Sequence, residues 1–394
     1  MRKDRSNNDS AFSVSLRLCE SFFFIRASAE KRGKMSKIVK VGGFSHVRAV
    51  EIGGNLPVVI QTMWKDRLSF SDLDAAAEKI KILEAMGCRL LRFAVPNIDD
   101  AEVLGRLAQM VSMPLVADIH FDYKIALRCM DFPIAKIRIN PGNIGGREKV
   151  RAVLEKAAEK NVPIRIGVNA GSLPADLRGR AEQGTAEDLA EAAMREIAIF
   201  KEFNFDNYLV SMKASGIADN IKANRIVAGQ TDAPLHIGVT EAGPLICGVV
   251  RNSAALVTLL SEGIGDTIRV SLSDTMENEI IAAREIIRAS GELSGGERLK
   301  IGGVSVISCP RCGRHSFDTH GFTSRWLPKL YAMEKEITVA IMGCEVNGPE
   351  EAKHADIGIT GAGEKVLIFK NGKIIKAITQ AEADEVFEEE LCKL

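Results

Sequence analysis

From residue 57 onward, short runs rich in β-branched residues alternate with longer stretches whose apolar positions recur every three or four residues. The first pattern is that of a buried strand, and the second that of an amphipathic helix. The spacing predicts strands over Pro57–Met63, Arg89–Val95, Pro114–His120, Ala135–Asn140, Pro163–Asn169, Tyr208–Lys213, Leu235–Glu241 and Thr267–Ser271. It predicts helices over Asp72–Met86, Arg147–Lys160, Thr185–Phe203, Ala254–Glu262 and Glu277–Ser290. Eight apolar strands linked by crossover helices imply the α/β class and a (β/α)8 TIM-type barrel over residues 35–290. A doubly wound open sheet is the competing architecture, and the GxGxxG turn that often opens one is absent.

The pattern changes after the last helix. Gly291–Arg298 is polar and glycine-rich, which predicts a linker over 291–300. The remaining residues, 301–394, are enough for a small α+β domain. Its expected strands are Val304–Ser308, Thr338–Met342, and a hairpin of Val366–Lys370 and Lys373–Ala377 about an Asn371-Gly372 turn. At the other end, Met35 reads as the natural start, and residues 1–34 as a leader without function. Its apolar stretch is broken by Arg17, Glu20 and Arg26, unlike the core of a secretory signal.

Charge and composition narrow the function classes. Lys+Arg and Asp+Glu both number 52, so no overall field draws nucleic acid or an anionic membrane, and any anion site must be local. No apolar run of 18 residues is present, which excludes an ordinary transmembrane helix. Eight cysteines in a long chain without an export signal point to a reducing cytoplasm. Cys88, Cys129 and Cys247 lie among apolar residues and read as small buried hydrophobes.

The candidate chemistry begins at the strand ends, where a barrel builds its active face. Those positions carry Gln61, Arg92, Asp118 with His120, Arg138 with Asn140, Arg165 with Asn169, Lys213, Glu241, and Arg269 with Ser271. Four arginines and a lysine aimed at one mouth repel one another unless an anion lies among them, and guanidinium forks match phosphate oxygens. The mouth is therefore expected to bind a phosphorylated substrate. Asp118 and His120 share a strand face, and Glu241 is the glutamate among these cations, so it is expected to handle a proton.

The second centre is made of cysteines. Cys309 and Cys312 form a CxxC pair, and Cys344 follows 32 residues after Cys312. Three thiolates leave one position of a four-coordinate site to be filled. His315 or His320 would complete a structural zinc site. Glu345, Glu350 or Glu351 would complete an iron–sulfur cluster. Because Cys344 has no second CxxC beside it, the asymmetry favours the cluster. A phosphate-binding barrel with a structural zinc domain remains the alternative.

Several long segments resemble the bacterial 4-hydroxy-3-methylbut-2-en-1-yl diphosphate synthase family. They are Val116–Tyr123, Arg138–Gly145, Pro163–Leu173, Thr240–Gly243, Ser261–Ser271 and the stretch around Cys344. The resemblance implies reductive opening and dehydroxylation of 2-C-methyl-D-erythritol 2,4-cyclodiphosphate, with flavodoxin or ferredoxin as electron donor. It implies one [4Fe-4S] cluster per chain, held by Cys309, Cys312, Cys344 and Glu351. It further implies that Arg92, Arg138, Arg165, Asn169, Lys213, Arg269, Ser271 and Asn347 bind substrate, with Asp118, His120 and Glu241 at the reacting end. A homodimer whose two chains share each active site is also implied, with no nucleic acid or membrane partner. The chain departs from the family where Trp64-Lys65-Asp66 replaces the usual Thr-Asn-Thr, and where Glu350 replaces a glycine.

Overall fold

A computed structural model describes residues 35–174, 176–177, 185–346 and 348–394, so the expected leader lies outside the described residues. β1 (Val39–Val41) and β2 (Val50–Ile52) form a short antiparallel pair. The next eight strands are β3 (Val59–Met63), β4 (Leu90–Ala94), β5 (Leu115–Asp118), β6 (Lys136–Ile139), β7 (Ile164–Asn169), β8 (Tyr208–Lys213), β9 (His236–Ile237) and β10 (Thr267–Ile268). All pair in parallel, β10 bonds to both β3 and β9, and a Val210–Leu235 bridge joins β8 to β9 and closes the ring.

Helices cover the outside: α1 (Leu73–Ala85), α2 (Ile98–Met110), α3 (Tyr123–Cys129), α4 (Pro141–Ile144), α5 (Arg147–Glu159), α6 (Thr185–Glu202), α7 (Ile217–Gln230), α8 (Leu245–Ser261) and α9 (Met276–Ser294). Local caps start several of them. Asn97 accepts from the Asp100 N–H, Asp122 from Lys124 and Thr275 from Asn278. Their apolar stripes, such as Ile80 and Leu83 or Leu104 and Leu107, pack on Leu91, Leu115 and Ile137 of the strands. Each such side chain contributes about 1.5–3 kcal/mol by burial. At the N-terminal end, Val39, Val41 and Ile52 cluster with Val59, Leu90, Val116 and Leu209, so the β1–β2 pair stoppers the barrel from below. The open end is the one where the strands finish.

β9 and β10 are shorter than their apolar runs predict, because side-chain amides replace the ladder beyond Ile237 and Ile268. Asn220 Nδ2 donates to Gly238 O at 3.0 Å, Asn252 Oδ1 accepts from Val239 N, and Asn252 Nδ2 donates to Ser271 O. The backbone groups are satisfied without a neighbouring strand. Gly238 is required there, since a Cβ would lie 2.5 Å from Arg269 O.

Two helices outrun their expected bounds. α8 begins at Leu245, where the Gly248 N–H bonds to Pro244 O at 2.7 Å. Its exposed first turns carry Cys247 to the surface, contrary to the buried position expected for that thiol. Cys88 and Cys129 are buried as expected, and burial pushes both thiols up to about 12. α9 continues through Ser294 into the expected linker and stops at Gly295, whose φ is 68°.

The chain then crosses the N-terminal face of the barrel. Arg298 donates to Gly263 O, Gly265 O and Asp266, while its own carbonyl accepts from Val58 N. Beyond it lie β11 (Ser305–Ser308), α10 (Thr319–Tyr331), β12 (Thr338–Met342), β13 (Ile357–Ala362), β14 (Lys365–Lys370), β15 (Lys373–Ile378) and α11 (Ala383–Cys392). β11, β12 and β13 are parallel, and β14 and β15 add antiparallel. The expected turn is present, with φ of 50° at Asn371 and 75° at Gly372. A separate core of Phe322, Trp326 and Phe387 against Ile341 and Ile359 holds this unit together. Among the described residues no helix is long and apolar enough to cross a membrane.

Candidate active site

At the open end of the barrel, a cavity of ≈ 180 Å³ is lined by Arg92, Asp118, His120, Arg138, Arg165, Asn169, Lys213, Arg269 and Ser271, together with Met63, Ser211 and Thr240. Strand register brings the central charges side by side: Asp118 pairs with Arg138, and Arg138 with Arg165, across β5, β6 and β7. Asn169 and Lys213 are likewise partners on β7 and β8. Side chains separated along the chain thus form one inward row, because parallel register repeats the same face on each neighbour.

Asp118 is the hub. Its Oδ1 accepts from Arg138 NH1 at 3.0 Å, and its Oδ2 lies 3.5 Å from Arg92 Nε and 3.6 Å from His120 Nε2. Burial alone would raise this carboxyl. The Arg92 charge, the hydrogen bond with His120 and the charges of Arg138 and Arg165 outweigh it and hold Asp118 far below the usual carboxylate range. Asp118 therefore stays ionised. His120 is half exposed at the rim, with Nε2 3.3 Å from Arg138 NH1.

The cations outnumber it. Burial pulls the Arg92 guanidinium down to about 10, and burial with the neighbouring Arg92 and Arg138 charges presses Arg165 well below its ordinary value. A guanidinium does not give up its proton readily, so this pressure acts as a pull on an anion. Lys213 can respond by deprotonation: burial first, then the charges of Arg165, Arg92, Arg269 and Arg138, push its ammonium well below the usual range. The Nε atoms of Arg92, Arg138, Arg165 and Arg269 are all buried without a hydrogen-bond partner among the described residues. Four such donors around one small cavity call for acceptor oxygens.

Two local devices shape the row. Gly167 makes room for Arg138, since a Cβ there would stand 2.3 Å from Arg138 Nε. With its amide oriented so that the oxygen accepts from Arg138 NH2 at 3.2 Å, Asn169 fixes the other side of the same guanidinium. Met63 and Ser211 were not expected from sequence; Met63 Sδ accepts from Arg92 NH2 and Ser211 Oγ from Arg165 NH1. Their signal was only that they stand at or near the ends of inward-facing strands.

Other expected residues fall outside the cavity. Glu241 is exposed on the rim with φ 53°, a left-handed conformation uncommon for glutamate, and it is Thr240 that lines the wall. Asn347 lies outside the described residues. Gln61 is buried below the cavity, where it accepts from Lys136 Nζ at 3.1 Å.

The cysteines sit on turns that leave adjacent parallel strands. Cys309 follows β11 and bonds through its N–H to Ile341 O at 3.0 Å, and Cys344 follows β12. Gly343 faces the Cys309 thiol: a Cβ there would lie 3.8 Å from Sγ and 3.3 Å from His315 Cβ, so its bareness leaves room between the two turns. Cys344 is buried, Cys309 half-buried and Cys312 exposed. Thr360 Oγ1 anchors the Cys344 carbonyl at 2.7 Å, and i→i+4 bonds from Gly348 N to Cys344 O and from Ala352 N to Gly348 O wind the following segment toward Glu351. His315 turns its Nδ1 to the Cys312 carbonyl at 2.7 Å. Among the described residues no three His, Cys, Asp or Glu side chains are drawn together as a metal-holding group. Three thiol donors on neighbouring strand-end turns fit the donor chemistry of an iron–sulfur cluster and of structural zinc alike.

Among the described residues none beyond Ser271 lines the cavity. The path to the cysteine-bearing unit leaves from the opposite, N-terminal face, where Arg284 bonds to Met86 O, Tyr331 O and Gly302 O.

Residues 44–284 match the sequence family described as the GcpE TIM-barrel domain, and residues 305–393 the one described as the GcpE protein C-terminal domain. The 4-hydroxy-3-methylbut-2-en-1-yl diphosphate synthase (flavodoxin) of Treponema pallidum (strain Nichols) is 49% identical over 373 residues, covering 90% of this chain and 91% of the relative. The protein of the same name from Treponema denticola is 48% identical over 390 residues, covering 92% and 99%. That of Caldicellulosiruptor saccharolyticus is 42% identical over 357 residues, covering 90% and 98%.

Proposed function

The chain belongs to the GcpE family, and from that premise we propose that it is a flavodoxin-dependent 4-hydroxy-3-methylbut-2-en-1-yl diphosphate synthase of isoprenoid biosynthesis. The observation that carries the reading is the ring of four buried arginine Nε donors about one cavity. The substrate is the cyclic diphosphate of methylerythritol. Two electrons and two protons enter, the ring C–O bond and one C–OH bond break, a C=C bond forms and one water leaves.

Arg92, Arg138, Arg165, Lys213 and Arg269 hold the diphosphate, with Asn169 and Ser271 completing its hydrogen bonds. Asp118 orients Arg92 and Arg138 rather than moving a proton, since its surroundings keep it ionised. His120 stands at the rim beside it, and Asn347 is assigned to the substrate's hydroxyl side. Glu241, held on the rim turn, delivers the proton that converts the departing hydroxyl into water.

Cys309, Cys312, Cys344 and Glu351 would hold one [4Fe-4S] cluster, which supplies single electrons to the substrate when bound. Within one chain the unit that carries those ligands is reached from the N-terminal face of the barrel, opposite the cavity. A homodimer in which one chain's cysteine turns cover its partner's barrel mouth resolves this. Support comes from the apolar side chains left bare near both centres: Phe70, Phe121, Ile246 and Val250 around the mouth, and Val346 beside Cys344. A reducing cytoplasm suits Cys88 and Cys129, both buried as free thiols.

Anaerobically purified protein with reduced flavodoxin is expected to convert the cyclic diphosphate to the allylic diphosphate, with about four iron and four sulfide per chain. Colourless, zinc-loaded protein that binds the diphosphate without turnover would replace this reading with the zinc-domain alternative.

A further inference from the structure

The departure at Trp64-Lys65-Asp66 leads away from the cavity to a buried carboxylate. Lys65 does not line the cavity. Its Nζ reaches Glu279 Oε1 at 2.7 Å and Leu272 O at 2.7 Å. Glu279 stands on α9, the last barrel helix, with a side chain only 1% exposed. Its Oε1 also accepts from Leu272 N at 3.0 Å and lies 3.4 Å from Arg269 NH2, while its Oε2 accepts from Thr62 Oγ1.

We propose that Glu279, seated by Lys65, is a positioning residue that sets Arg269 and Ser271 for the substrate's diphosphate. Four groups converge on one carboxylate, the Thr62 hydroxyl, the Lys65 ammonium, the Arg269 guanidinium and the Leu272 N–H, and Lys65 also holds the Leu272 carbonyl. That double grip fixes the peptide directly after Ser271. It does so where β10 has already ended at Ile268, and where the backbone is otherwise held by the Arg269 N–H on Ile237 O and the Asn252 amide on Ser271 O. Glu279 also decides which part of the Arg269 fork remains for a ligand. With NH2 drawn toward the carboxylate, the buried Nε stays unpaired and available.

The charge balance explains why a lysine is useful at position 65. A carboxylate buried beside Arg269 alone would neutralise the cation that the substrate needs. Lys65 adds a second cation to the same carboxylate, so Arg269 keeps its attraction for phosphate while still being aimed. Glu279 and Lys65 touch no reacting atom in this arrangement; they act through Arg269 and the turn after it.

The inference rests on the synthase reading, and its test separates the two. In the iron–sulfur-loaded enzyme, E279Q keeps the shape and removes the charge, and K65M leaves Glu279 with Arg269 as its nearest cation. Both are expected to raise KM for the cyclic diphosphate about tenfold or more while kcat falls less, with iron content unchanged. E279D is expected to recover part of the loss. A KM equal to that of the unaltered enzyme in both E279Q and K65M, with only the melting temperature lowered, would reduce the pair to a structural ion pair and overturn the proposal. Should E279Q fail to fold, K65M and E279D carry the test. Failure of the unaltered enzyme to turn over the cyclic diphosphate would overturn the synthase reading instead.

Discussion

Asp118 and Arg138, neighbours on adjacent strands, meet at 3.0 Å with only 3% and 4% of their surfaces exposed. One carboxylate thus faces three buried guanidiniums, since Arg92 and Arg165 flank the pair. A buried pair costs solvation on both sides and earns its place by geometry, so removing one partner leaves a charge that nothing compensates.

D118N is accordingly expected to destabilise the protein by about 3–5 kcal/mol. Urea unfolding of the anaerobic protein measures this. A midpoint unchanged from the parent would show that Asp118 does not bear the charge balance of the row.

Lys213 makes ligand binding depend on pH. Its ammonium is held below its ordinary value by burial and by four arginines, so the folded state binds fewer protons than the unfolded chain at pH values between the lowered pKa and about 10.4. In that window substrate-free stability from this group rises with pH. A diphosphate among the arginines removes their repulsion and restores the proton. Binding of inorganic pyrophosphate at a pH within that window is therefore expected to take up protons, read by calorimetry in buffers of different ionisation enthalpy. K213R should lose that uptake; equal uptake in parent and K213R would assign it elsewhere. Asp118 adds no slope here: its lowered pKa places its contribution fully above about pH 3.9, to be lost only as the pH falls further.

Gly167 gives a steric test of the Arg138 position. G167A puts a Cβ within 2.3 Å of Arg138 Nε and 2.8 Å of NH2. The guanidinium must move, and substrate KM is expected to rise at least tenfold with a stability cost of about 1–3 kcal/mol. Steady-state kinetics and thermal melting on the same preparation separate the two effects. Unaltered KM would mean that Arg138 binds the substrate from some other pose.

E241Q is expected to lower kcat by about 100-fold with little change in KM, as loss of a proton donor does. A pH–rate profile that keeps the parent's shape and height would remove Glu241 from the chemistry.

Mixing two inactive variants tests the shared site. R138M lacks a barrel contact and C344S lacks a cluster ligand. In a mixed dimer with sites shared across chains, one site is whole, the parental barrel of C344S with the parental cysteines of R138M. Activity should therefore return on mixing under exchange conditions. No recovery, with exchange verified by mass, would place barrel and cysteines of the same chain together.

Much of the architecture was legible because its causes are local. Apolar periodicity marks a strand or helix without reference to the rest of the chain, and a charged residue ending an apolar strand stands out against its neighbours. That reasoning located Arg92, Asp118, Arg138, Arg165, Lys213 and Arg269 before any fold was drawn, and the structure brings them to one cavity. It overextended β9 and β10, because the amides of Asn220 and Asn252 that replace the ladder come from helices outside those strands. It also carried the linker too far forward, since Gly291 is tolerated inside α9 and the stop lies at Gly295.

What the amino-acid sequence determined by itself was the order of strands and helices and the charges at the strand ends, both properties of neighbouring residues. Tertiary structure alone decided which of those charges share a hydrogen bond, that Lys65 meets Glu279 across more than 200 residues, and that the cysteine-bearing unit leaves from the face opposite the cavity. Those relationships depend on strand register and barrel closure, which join parts of the chain that no local pattern connects.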